Sequence, residues 1–219
     1  MGFFDLFRLG RVLLGTAKAV RAQRRLAREL AALPMERFVP ECMSYLNRSA
    51  GNWEGRARPR DAAAAEIARA HGLPEELIDF YRVCDGFEAV SGEFPACIPP
   101  VAQLRTGARH APPLSSLLST YWDEHGNDSD RPGLLSVLPP DDLAALAVHA
   151  ADDYLEPATL DSAIVLGSPD ERGFVVVLPA DAGGNLARGT VLDVEAGAAT
   201  WYPGFKAWLA TRASLYAAF

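Results

Sequence analysis

The chain is poor in the features that mark most functional classes. It has three cysteines in 219 residues, Cys42, Cys84 and Cys97. They are too few and too scattered for a disulfide framework or a thiolate zinc site. The expectation is three reduced thiols in a cytoplasmic protein. No apolar run approaches the ~20 residues that a bilayer-spanning helix needs. The opening residues, MGFFDLF, lack the basic n-region of a signal peptide, and no small-residue cleavage site comes after them. Position 6 is Leu6, where N-myristoylation expects serine or threonine.

Motifs for chemistry are missing too. There is no G-x-S-x-G, no S-x-x-K and no C-x-x-C. Gly183-Gly184 is followed by neither a G-K-[ST] ending nor a helix start, so it is no phosphate loop. His71, His110, His125 and His149 lack metal-ligand spacing. The acidic run 123–130 lacks the ligand order of an EF-hand. Asp141-Asp142 fits a helix N-terminus, and Asp152-Asp153 is less well explained by the helix dipole. A hydrolytic carboxylate pair needs a cleft and raised pKa values. The expectation is a non-enzymatic protein with no cofactor and no metal; an enzyme with an unrecognised carboxylate site is the third-ranked reading.

What is present begins with charge. Residues 1–33 carry seven basic side chains and two acidic ones, a net of +5. The whole chain is −7, so residues 34–219 carry −12. An acidic body disfavours nucleic acid as a direct ligand, because phosphate contacts need Lys and Arg. It suits a basic partner, or solubility alone.

Residues 3–20 read as an amphipathic helix. Phe3, Leu6, Phe7, Leu13, Leu14, Ala17 and Val20 recur on one side. From residue 21 the stripe changes sides. Arg21, Arg24, Arg25 and Arg28 occupy the formerly apolar angle, and Leu26, Leu30 and Leu33 form a new apolar line. Phe3, Phe4, Phe7, Arg8, Arg11 and Lys18 are the candidate contacts of this segment. They suit a peripheral membrane surface, a partner, or a second copy; a helix packed on its own domain is the plainer reading.

Pro34 should end that helix, and a short one is expected from Pro40 to about Asn47. Asn52–Pro59 reads as a polar loop. Asp61 can cap a helix over Ala62–Ala70, closed by Gly72. Pro74 then opens a helix with Leu77, Phe80, Tyr81 and Cys84 on one face, ended by Asp85-Gly86. The proline-rich stretch at about 95–140 should hold a strand near Ala96–Ile98. A helix is expected through Leu114, Leu117, Leu118, Tyr121 and Trp122, and another over Asp141–Tyr154. Ala163–Leu166, Phe174–Leu178, Thr190–Val194 and Thr200–Tyr202 are β-branched-rich runs around short turns, an antiparallel meander. Gly204–Phe219 is a final helix whose face, Phe205, Trp208, Leu209, Arg212, Leu215, Tyr216 and Phe219, should pack on the sheet. The fold class is α+β: helices, an antiparallel sheet of about four to six strands, and a C-terminal helix on the sheet. The expected organisation is an extension, 1–33, and one domain, 34–219, with a proline-rich insertion at about 95–140.

The stretch LPEELIDFYRVCDGF (73–87), the strand-glycine run AIVLG, the run GFVVVL and the final FKAWL succeed one another in an order that resembles the SUKH superfamily. The resemblance covers roughly residues 60–219. The region at about 95–160 is longer than the family pattern, and residues 170–173 place the acidic group before the glycine. The resemblance implies an immunity protein that binds and neutralises a toxin, often a nuclease, through protein–protein contact. Trp122, Asp123, Glu124, Asp128 and Asp130 are the candidate partner contacts, an aromatic anchor ringed by carboxylates. The alternative is a regulatory or scaffold module tethered through residues 1–33.

Overall fold

The computed structural model describes residues 19–48, 53–92, 96–109, 113–117, 135–138, 154–155, 157–167, 173–179, 186–195 and 198–217. The protein is α+β, with a mixed sheet whose two faces carry separate cores.

Residues 19–31 form helix α1. Leu30 is buried in the main core, and Leu26, Ala27, Ala31 and Leu33 pack against that core. Arg21, Arg24, Arg25 and Arg28 are exposed. The new apolar line read from the sequence is therefore the body-facing one. The end of α1 shares a core with α2, α4 and the main sheet.

Helix α2 spans Met35–Leu46, five residues longer at its start than the helix expected from Pro40. Met35, Phe38, Val39, Cys42, Met43 and Leu46 are buried at helical spacing. Burying six such side chains is worth roughly 10 kcal/mol gross, against about 3 kcal/mol for an interior proline. The stripe wins, and Pro40 sits on the solvent side. Pro34 starts the helix by accepting from Arg37 and Phe38 N–H groups at 3.0 and 2.9 Å.

The expected polar loop at 52–59 contains strand β1, Glu54–Ala57. It pairs antiparallel with β2, Phe87–Ser91. Its sequence, EGRA, has no strand signal of its own; the pairing is made from outside. The Asn47 side chain donates to the Gly55 carbonyl and accepts from its N–H, at 2.8 and 2.9 Å, closing the free edge. The strand expected near 96–98 reduces to one bridge, Ile98 to Phe87.

Between β1 and β2 lie α3, Ala64–Ala70, and α4, Glu75–Val83. The Asp61 carboxylate accepts from Ala63 N–H at 2.9 Å, just ahead of α3. Residues 114–117 form a helical turn, α5; Leu118, Tyr121 and Trp122 lie outside the described residues.

The main sheet has six strands in the order β4-β3-β8-β7-β6-β5. These are β3 Leu135–Leu138, β4 Tyr154–Leu155, β5 Ile164–Val165, β6 Gly173–Val177, β7 Val191–Glu195 and β8 Ala198–Tyr202. The meander β5–β8 is antiparallel, as expected. Strand β3 has no counterpart in the sequence reading, and it pairs parallel with β8, so the sheet is not purely antiparallel. Tyr154, expected to end a helix, lies in β4; residues 141–153 lie outside the described residues. Helix α6, Pro157–Ser162, precedes β5. The outer edge of β5 is covered by residues 105–107, through Val165 N–H to the Arg105 carbonyl and Gly107 N–H to the Ala163 carbonyl, both at 2.9 Å.

Alternation sorts the sheet's two faces. Val177, Val191 and Tyr202 join the core shared with α2, α4 and the last helix, α7 (Phe205–Ala217). Phe174, Val176, Leu178, Leu192, Val194 and Ala199 face a second core with Leu114, Leu155 and Leu160. On α7, Phe205, Trp208 and Leu209 are buried as expected, but Leu215 is exposed. Ala210, Ala213 and Ser214 take the inner side instead, where small side chains let α2 and α7 approach closely.

Two glycines with positive φ separate backbone conformation from steric fit. Gly72 has φ +70° and open space where a Cβ would stand. Gly86 has φ +94°, and its Cβ would overlap the Ile98 carbonyl oxygen. Gly72→Ala is expected to cost about 1 kcal/mol, the left-handed penalty alone. Gly86→Ala is expected to cost about 3 kcal/mol or more, because backbone must move as well. Urea unfolding of the two variants checks the ordering.

Candidate functional site

The segment 68–76 is built from its own turn chemistry. Leu73 N–H donates to the Ala68 carbonyl at 3.1 Å and Gly72 N–H to the Arg69 carbonyl at 2.9 Å. That pair of bonds is a Schellman motif, with Gly72 in the left-handed position. Leu73 is turned into the core and Pro74 sets the extended backbone that opens α4. The Arg188 guanidinium donates to the Gly72 carbonyl at 2.9 Å.

Beside this turn is an open depression of about 380 Å³. Arg69, Pro74, Glu75, Ile78 and Arg188 are among its lining residues. Two guanidiniums and one carboxylate at an open rim suit charged surface contact. Glu75 also lies 3.5 Å from Arg82, which pairs with Asp79.

Glu76, one residue further, turns the other way. Its carboxylate accepts from Lys206 N–H at 3.0 Å, in the first turn of α7. A carboxylate there satisfies an orphan donor and complements the helix dipole. The fit is close: a Cβ at Gly204 would stand 2.6 Å from the Glu76 oxygen. Lys206 Nζ then donates to the Leu33 carbonyl at 2.5 Å and stands 5.3 Å from the Phe38 ring centroid. One acidic and one basic side chain thereby tie the end of α1, the start of α4 and the start of α7.

A second polar cluster is buried under α7. Asp193 on β7 accepts from Trp208 Nε1 at 3.0 Å and from two nitrogens of Arg212 at 2.9 and 2.5 Å. Burial works against the Arg212 charge; the Asp193 charge and hydrogen bonds, helped by Tyr202 and Tyr216, more than offset it and raise its pKa. Both charges are spent on each other, which gives the cluster a structural role.

On the β1–β2 pair, Glu88 accepts from Arg56 at 2.5 Å and pairs with Arg58 at 2.6 Å. The Arg56 hydrogen bond is the main reason that the Glu88 carboxyl sits below its ordinary range. Burial pushes the thiols of Cys42 and Cys84 up to about 12 and that of Cys97 in the same direction. Cys42 and Cys84 are thus protonated at neutral pH, and thiols are poor nucleophiles.

Every partner or membrane contact expected from the sequence lies outside the described residues: Trp122, Asp123, Glu124, Asp128 and Asp130, and Phe3, Phe4, Phe7, Arg8, Arg11 and Lys18. His71 is an exposed residue at the end of α3. Among the described residues no group of three or more His, Cys, Asp or Glu is placed to hold a metal ion. Among them, too, no helix is long and apolar enough to cross a membrane. Sequence reading places Glu76 in the first turn of its own helix and misses its partner on α7, and it misses Asp193. A signal existed for Asp193, a lone carboxylate in an apolar strand, with Arg212 on the aromatic face of the next helix. No protein-family model, curated protein or solved structure matches the chain.

Asp193→Ala strands a partly buried guanidinium and an indole N–H, and is expected to lower stability by about 3 kcal/mol. The double change Asp193→Val with Arg212→Met removes both charges and should recover part of that loss in the same urea titration. Glu88 should titrate below an ordinary glutamate by NMR, and Arg56→Ala should raise its midpoint. Because the folded value is the lower one, its stabilisation holds above the unfolded pKa. It is lost as pH falls through the folded value.

Proposed function

We propose that the protein is a non-enzymatic binding module of SUKH type, acting in the cytoplasm as an immunity protein against a basic toxin domain, such as a nuclease. The observation that carries this reading is the order of its elements. A glycine-closed helix leads through Leu73-Pro74 into a helix with a buried aromatic face, then a glycine turn, a four-stranded meander and an aromatic C-terminal helix. That order is the one on which the family resemblance rests. The net charge of −12 over residues 34–219 supports a basic partner. Opposite net charges speed encounter by electrostatic steering and select against acidic competitors.

The signature itself does not bind in this reading. Its distinctive residues are occupied in the fold: Pro74 and Gly72 in the turn, Phe80 and Tyr81 in the core, Glu76 at α7. The partner contacts assigned are Trp122, Asp123, Glu124, Asp128 and Asp130.

The test is co-expression and pull-down with the product of an adjacent gene that encodes a secreted protein with a variable, basic C-terminal domain. Asp128→Lys with Asp130→Lys is expected to weaken that complex about tenfold or more at low salt, mainly through the association rate. Unchanged affinity in the charge-reversed protein would rule out the acidic loop as the contact. Failure of the body to bind any basic toxin domain from its gene neighbourhood would rule out the immunity reading.

A further inference from the structure

Helix α1 meets the body through a narrow contact. Of residues 19–33 only Leu30 is fully buried, and Leu26, Ala27, Ala31 and Leu33 are half-buried against the same core. Helix α2 buries six side chains, and α7 buries Phe205, Trp208, Leu209, Ala210, Ala213 and Ser214. Local opening costs least where few apolar contacts must be broken. By that measure α1 leaves the body more readily than α2 or α7.

A polar tie closes one end of that contact. The Leu33 carbonyl lies just past the last turn of α1, where backbone acceptors lack helical partners. Lys206 Nζ donates to it at 2.5 Å and stands 5.3 Å from the Phe38 ring centroid. A cation at this end also complements the dipole of α1. The lysine is fixed at its root, because the Glu76 carboxylate accepts from its backbone N–H at 3.0 Å. Lys206 is half-buried, so water competes with its bond less than with a surface pair such as Arg25–Glu29, whose side chains are 80% and 58% exposed.

We propose that α1 is a strap that opens separately from the body, and that Lys206 is the latch that sets how often it opens. The sheet, α4 and α7 stay in place when it opens, because the Phe80–Phe205 contact and the Asp193–Arg212 pair do not involve α1. Opening uncovers the core surface on which Leu26, Leu30 and Leu33 rest. Once undocked, a helix in water frays and its amides exchange. Removing the ammonium deletes a charge-assisted bond that only the closed state makes, so the open population rises.

The test is hydrogen exchange of the full chain, followed by mass spectrometry. In the unaltered protein, peptides from residues 23–32 should exchange faster than those from α2 and β7. Lys206→Met keeps an unbranched stem and removes the donor. It should speed exchange at residues 23–32 about tenfold or more, with β6 and β7 unchanged. Lys206→Arg retains a charged donor and should stay closer to the unaltered protein than Lys206→Met does. Exchange of residues 23–32 at the pace of β7 in the unaltered protein, or no change in Lys206→Met, would overturn the proposal. So would an equal rise in both variants, or a rise shared by β6 and β7, which marks global loss of stability. None of these outcomes bears on the toxin pull-down.

Discussion

Phe80 is the side chain on which the two halves of the protein meet. It is fully buried, and its ring lies 5.2 Å from Tyr81 and Phe87 and 4.8 Å from Phe205, centroid to centroid. Phe205 in turn lies 5.9 Å from Trp208. Edge-on and tilted contacts of this kind add to area burial. They join α4 and the start of β2, neighbours in the chain, to α7, which lies far beyond them in sequence.

Charge takes two different forms in this molecule. Inside, it is paired and directional: Asp193 with Arg212 and Trp208, Glu76 with the first turn of α7, Lys206 with the end of α1. Each group is satisfied by a specific partner, because an unpaired buried charge would cost more than the tie supplies. Outside, it is segregated. The arginine face of α1 stands on a chain whose remaining residues are strongly acidic. The proposed function draws on this outer charge, and the fold draws on the inner.

The legible parts of the fold are those with local causes. Pro74, Gly72 and Gly86 bracket α4 through backbone preference alone, and the stripe Leu77, Phe80, Tyr81, Cys84 is buried as its spacing requires. The meander is legible because β-branched runs alternate with short turns. Strand β1 is not, since EGRA becomes a strand only where β2 and the Asn47 side chain supply its hydrogen bonds. The length of α2 is hidden for a related reason: a local rule about Pro40 gives way to six buried side chains. Of the site, the sequence marks the aromatic face of α4 but not the job of Glu76, whose partner lies 130 residues away.

By itself the sequence determined the class of the protein, the start and stop of α4, the four-strand meander and the division of charge. These depend on φ preferences, side-chain period and composition, which are properties of short segments. Only the tertiary structure decided that β3 joins the sheet parallel to β8, and that α1 shares the core. It alone decided that Asp193 and Glu76 are internal ties and that the α1 arginines face outward. Those outcomes depend on which distant groups meet, and a buried polar atom is satisfied or stranded only by the neighbour that packing brings to it.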